Sequence, residues 1–158
     1  MLNFVHKGRT LNLPINTTTL TGDAQTDSTS AYVLGMKAGR VVALTPNGLA
    51  LADNAVAGAT SNPIGFLVVD MAGYFFENKP ALASGLSAVA VGSENVVQTD
   101  AINTSLTFNP GDTLYVDTGA NAGLLTNVAP AANAIKIGRA LSTASAASPI
   151  LTVLSALD

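Results

Sequence analysis

The chain has 158 residues, of which 11% are charged and 48% are hydrophobic, and its formal net charge is −3. Its seven Lys and Arg residues are scattered, which argues against binding to nucleic acid, and the lack of cysteine excludes disulfides and thiolate metal sites. An ordinary soluble domain has about 25% charged residues. The composition therefore predicts one domain that covers much of its surface with copies of itself or with another partner.

Residues 1–35 are predicted to form an extended N-terminal arm. The threonine-rich stretch 17–30 has little that could fill a core, and β-branched residues favour extended backbone. A disordered tail is the alternative interpretation.

The first residues lack the long apolar segment of a secretory signal, and no run approaches the roughly 18 apolar residues of a membrane-spanning helix. We therefore expect synthesis in the cytoplasm without export, and no membrane partner.

The first of two similar patterns opens at Gly39 and closes at Gly65. An apolar run is followed by the turn 45–48, Thr-Pro-Asn-Gly, in which Pro and Gly suit a reversal of the chain. The next apolar residues, 49–51, would form the partner strand. A loop of small residues then leads through Pro-Ile-Gly into a predicted buried strand over 64–70.

The second pattern opens at Gly111 and closes at Gly138, with nearly the same spacing. Between the two patterns, apolar residues over 86–91 and 94–100 predict further strands. The last predicted strand, 150–157, has apolar residues on nearly both faces. Helical periodicity is not sustained for three turns anywhere, so we predict a mainly β protein.

These observations predict a single β-domain over residues 36–158. It would be a compact β-barrel or a sandwich-like domain with two pseudo-repeated β-modules, at about 39–70 and 111–142. Two weak repeats are too few for a solenoid, which needs about three or more units. Such a scaffold offers surfaces more readily than a cleft.

Candidate catalytic residues are few. His6 is the only histidine, so it has no second histidine or cysteine with which to share a metal, and it lies in the predicted arm. Seven acids are candidates, and two of them could serve a glycan hydrolase if they met in space. Several of the seven begin turns, however, where an Asp side chain forms hydrogen bonds with the local backbone. These acids are Asp53, Asp70, Glu77, Glu94, Asp100, Asp112 and Asp117. We predict no catalytic residue, no metal site, no cofactor and no enzymatic activity.

Five segments resemble the small capsid decoration, or cement, proteins of tailed bacteriophages, and the resemblance spans roughly residues 36–158. The segments are Gly39–Asn54, Pro63–Asp70, Asn78–Gly85, Gly111–Asp117 and Ile137–Ser142. The resemblance implies a compact, often trimeric β-structure on the outer face of an icosahedral shell, where it clamps neighbouring major capsid subunits. It also implies a virion location, synthesis in the host bacterial cytoplasm and no active site.

Under this resemblance the N-terminal arm is expected to contact the major capsid protein. Its large apolar residues have no obvious core to enter, and its basic residues could pair with capsid carboxylates. The expected contact residues are Phe4, Lys7, Arg9, Leu11, Leu13 and Ile15. The low charge and the apolar run 150–157 also predict a homo-oligomer, taken to be a homotrimer.

Two other functions remain open from the sequence. A head-fibre or host-surface module would bind carbohydrate, with Tyr32 and Tyr74–Phe76 as candidates for stacking on a sugar. An enzyme, in practice a glycan hydrolase, would need two of the acids close together in an exposed groove.

Overall fold

The computed structural model describes residues 1–16, 35–54, 59–71, 85–130 and 134–157. No helix of these residues is long and apolar enough to cross a lipid bilayer. Short 3-10 turns occur at Ala59–Ser61 and Gly119–Asn121. The strands of the described ranges are β1 Leu2–His6, β2 Arg9–Pro14, β3 Val41–Thr45, β4 Gly48–Leu51, β5 Pro63–Leu67, β6 Leu86–Val91, β7 Val96–Thr99, β8 Thr113–Val116, β9 Leu125–Thr126, β10 Lys136–Ala140 and β11 Leu151–Ser155.

The strands form two antiparallel sheets. The six-stranded sheet has the order β1-β7-β11-β10-β8-β9, and the five-stranded sheet has the order β2-β6-β5-β3-β4. The prediction of a mainly β protein is therefore confirmed. Of the two architectures that the sequence left open, the structure has the sandwich-like one, since neither sheet closes into a barrel.

The same strand order occurs twice along the chain. Strands β2 to β6, the first unit, are arranged β2-β6-β5-β3-β4, and strands β7 to β11, the second unit, are arranged β7-β11-β10-β8-β9. An isolated parallel bridge joins Ile15 to Leu49 in the first unit and Ile102 to Leu125 in the second. The structural repeat therefore includes β2, β6, β7 and β11 as well as the two predicted modules.

Two hydrophobic clusters organise the core. One lies between the sheets and includes Phe66 and Ala90 from the five-stranded sheet and Leu114 and Val153 from the six-stranded sheet. The second lies on the other face of the five-stranded sheet, because successive strand residues point to opposite faces. Its buried members are Ile15, Met36, Val42, Leu49, Leu67, Met71 and Val89. The five-stranded sheet is therefore apolar on both faces.

The N-terminal residues belong to the sheets. Strand β1 pairs with β7 and strand β2 pairs with β6, so the two-sheet domain begins at residue 2 rather than at residue 36. The expectation that the apolar residues of 1–16 have no core to enter is wrong, because Ile15 is buried in the second cluster and Phe4 packs against the cluster between the sheets. The rest of the predicted arm, residues 17–34, lies outside the described residues.

Candidate functional site

The acidic residues mostly hold loops of their own chain. One carboxylate oxygen of Asp112 accepts hydrogen bonds from Asn127 Nδ2 and from the backbone N–H of Asn109, each at 2.9 Å. These two bonds, the one from Asn127 first, lower the pKa of Asp112 below its ordinary value because they favour the charged carboxylate. The sequence-based interpretation that acids at turns bond the local backbone is confirmed here.

Two other acids have similar roles. The carboxylate of Asp117 accepts hydrogen bonds from Asn103 Nδ2 at 2.6 Å and from the N–H of Thr118 at 2.8 Å. The carboxylate of Asp70 accepts a bond from the N–H of Ala38 at 2.6 Å. Among the described residues, no three His, Cys, Asp or Glu side chains lie close enough to hold a metal ion. Glu77 lies outside the described residues.

A polar cavity of about 320 Å³ lies where the two units meet, and Lys37, Arg40, Asp70 and Asp100 line part of it. Burial lowers the pKa of Arg40, and the nearby carboxylate of Asp100 partly opposes this shift. The Arg40 guanidinium donates a hydrogen bond to the carbonyl of Ala122 at 2.9 Å, and Asp100 forms an ion pair with the N-terminal ammonium group. Arg40 therefore bonds across the junction of the units, and Asp100 is paired with the N-terminus.

The outer face of the six-stranded sheet presents side chains from several neighbouring strands. On the inner side, residues such as Val97, Val153 and Ala140 enter the cluster between the sheets, so their strand neighbours point outward. The pairing register brings five outward residues from adjacent strands into one transverse row. In order across the sheet, this row consists of His6, Val96, Leu154, Arg139 and Thr113.

Two further sets of residues flank this row. On one side, the register places Asn3 of β1, Gln98 of β7 and Thr152 of β11 side by side. On the other side, Lys136 of β10 pairs with Tyr115 of β8. The outer face thus combines amides, hydroxyls, an aromatic ring and two basic groups with branched aliphatic side chains.

Large apolar side chains are exposed in and beside this sheet. Leu154, in the transverse row, is 38% exposed, and Val5, at the bulge in β1, is 61% exposed. Leu141 and Ile150 lie where β10 ends and β11 begins, and they are 47% and 44% exposed. Apolar side chains grouped on one face mark an interaction surface more often than the same residues scattered singly.

The charged residues within the strands of this face are all basic. None of its six strands contains Asp or Glu, whereas β10 carries both Lys136 and Arg139, which are exposed. Four acids border these strands in sequence, Glu94 and Asp100 at β7 and Asp112 and Asp117 at β8. Asp100 forms the ion pair with the N-terminus, and the carboxylates of Asp112 and Asp117 accept hydrogen bonds from their own chain. A basic and apolar face therefore occurs on a chain whose net charge is negative.

The contact residues predicted from the sequence lie in different surroundings. Ile15 is buried, and the half-buried ring of Phe4 packs against the cluster between the sheets. Leu11 and Leu13 are half-buried on the five-stranded sheet. Lys7 and Arg9 are exposed, and the Lys7 ammonium lies 5.7 Å from the centre of the Phe4 ring.

The residues of the outer face were missed because the last predicted strand looked apolar on both sides. A usable signal was that Lys136 and Arg139 are each followed directly by an apolar residue, Ile137 and Ala140, since a charged residue beside a core residue indicates a strand with one exposed face. The aromatic candidates Tyr32 and Tyr74–Phe76 lie outside the described residues. Comparison of the chain with protein-family models, curated proteins and solved structures found no match.

Proposed function

We propose that this chain is a non-enzymatic structural protein of a tailed-phage virion that binds the outer surface of the capsid and cements major capsid subunits. The observation that carries the proposal is the outer face of the six-stranded sheet, where exposed apolar side chains share one surface with hydrogen-bonding and basic groups. The resemblance of residues 36–158 to capsid decoration proteins supplies the identity of the partner.

A capsid suits such a surface because it repeats the same binding site many times. A homo-oligomer, taken to be a trimer, would engage several sites at once, so that modest individual contacts add up to strong overall binding. A protein that binds only the assembled shell stabilises that state by mass action. Binding would place the protein on the capsid exterior after its synthesis in the bacterial cytoplasm.

The test uses shells that lack the protein and adds the purified chain to them. We expect the wild-type protein to bind and to raise the temperature at which the particles release DNA. Leu154→Asp should weaken binding about tenfold or more, since it places a charge among the apolar contacts of the face. Occupancy can be measured by co-sedimentation, and particle melting by release of a DNA-binding dye.

Leu44→Asp is the matched control. Leu44 is also an exposed leucine of a strand, 42% exposed, but it lies on β3 of the five-stranded sheet. Equal loss of binding in the two variants would reject the outer face as the contact surface. Unchanged particle melting together with reduced adsorption to host cells would instead indicate a head-fibre or host-surface carbohydrate-binding module.

A further inference from the structure

The position of Arg139 restricts what can cover the outer face. Its strand partners are Leu154 on one side and Thr113 on the other, so a surface that covers Leu154 must also cover the guanidinium group. Arg139 forms no ion pair and no side-chain hydrogen bond with the described residues. Burial of an unpaired charge is strongly unfavourable, so a tight partner must bring a compensating group.

The compensating group is best supplied by a carboxylate. A guanidinium group presents a planar set of donors that matches the two oxygens of a carboxylate, and such charged pairs are stronger than bonds to neutral acceptors. Lys136, on the same strand and beside Tyr115, adds a second positive charge that has no ion-pair partner in the described part of the chain. No carboxylate of the six strands themselves is present to neutralise either group.

Two other occupants fit the face less well. A second copy of the same face would oppose Arg139 and Lys136 to strands that contain no acid, so symmetric face-to-face pairing is disfavoured. Nucleic acid binds through many phosphate contacts, whereas this face has two Lys or Arg residues and exposed leucine and valine side chains. A protein surface with both acidic and apolar groups complements it better.

We infer that the outer face of the six-stranded sheet recognises an acidic protein surface, with one carboxylate opposite Arg139, a second acid near Lys136 and apolar side chains around Leu154. This inference rests on the proposed function, under which the surface belongs to the major capsid protein. The sequence predicts a contact through Lys7 and Arg9. The inference assigns the contact to β10 instead.

The inference is tested by charge reversal on the full-length protein, with shell binding measured over a series of NaCl concentrations. Arg139→Glu should weaken binding at least about tenfold, and Arg139→Gln should weaken it less and reduce its dependence on salt. Arg9→Glu is the control, because it makes the same change of charge at an exposed position of β2 in the other sheet. Thermal unfolding confirms that each variant is folded.

A second experiment modifies the shell instead of this protein. Shells whose surface carboxylates have been converted to neutral amides with a carbodiimide and an amine should lose binding of the wild-type protein, while microscopy confirms that they remain intact. Full binding to amidated shells, or equal losses for Arg139→Glu and Arg9→Glu, would overturn the inference and leave the proposed function standing. No wild-type binding to shells would overturn both, and binding to double-stranded DNA instead would identify a phosphate site.

Discussion

Gly65 and Gly138 occupy equivalent positions in the two units. Each glycine lies within a strand, β5 or β10, and directly follows an isoleucine. A Cβ atom would lie 2.1 Å from the carbonyl oxygen of Ala90 at Gly65, and 2.1 Å from that of Leu154 at Gly138. These distances are far below van der Waals contact, so any side chain would push apart strands that are hydrogen-bonded neighbours. The repeated Ile-Gly pair in the sequence therefore marks close approach of strand backbones.

Replacement of either glycine by alanine should destabilise the protein. We expect Gly65→Ala and Gly138→Ala each to lower the free energy of unfolding by about 1–3 kcal/mol, because the neighbouring backbone must shift to admit the methyl group. Urea denaturation measures the effect. Gly35→Ala is the control, since its Cβ would meet only Leu51 Cδ1, at 3.5 Å. Similar stability of all three variants would mean that the strands can separate freely at these points.

Strand β1 connects the two units. It directly precedes β2, which belongs to the first unit, but it pairs with β7 at the edge of the second unit. Its inward residues Leu2 and Phe4 pack against the cluster between the sheets, while Val5 bulges outward. The first residues of the chain thus act as a structural strand of the sheet, and their removal would leave the edge of β7 exposed.

Phe4→Ala should lower the free energy of unfolding by about 1–3 kcal/mol, which is less than the loss of a fully buried phenylalanine because this ring is half-buried. Val5→Ala, its neighbour, should change stability by less than about 0.5 kcal/mol, since Val5 is exposed. Thermal unfolding followed by circular dichroism compares the two. If Phe4→Ala were as stable as Val5→Ala, β1 would behave as the detachable arm that the sequence predicts.

The whole molecule consists of two five-stranded units with the same strand order and very different surroundings. The first unit has apolar residues on both faces of its sheet, whereas the second presents one face to solvent. Because the exposed face has basic groups and no acids in its strands, association of identical chains is expected to use another surface. The exposed face then remains available to a different protein.

This arrangement makes a prediction about assembly. We expect light scattering at micromolar concentration to give the mass of a trimer for the wild-type protein, and the same mass for Arg139→Glu, because the outer face does not contribute to self-association. A monomer would contradict the proposed homotrimer. A change of mass in Arg139→Glu alone would place the outer face between copies of the chain.

Local features of the fold could be predicted from the sequence. The turn 45–48 and its flanking apolar residues predicted the β3–β4 hairpin closely, and the apolar run 86–91 coincides with β6. Turn residues and strand alternation act over a few neighbouring residues, so they are visible without an alignment or a structure. The carboxylate of Asp112, bonded within its own turn, is predictable for the same reason.

By itself the sequence determined the mainly β class, the two modules and the glycines that open and close them, because these depend on local backbone preference and on alternation. Only the tertiary structure decided the pairing of β1 with β7, the burial of Ile15 and the row from His6 to Thr113. Strand pairing joins residues far apart in the chain, and one residue of register decides which face each side chain occupies. The candidate binding face was therefore beyond local sequence reasoning.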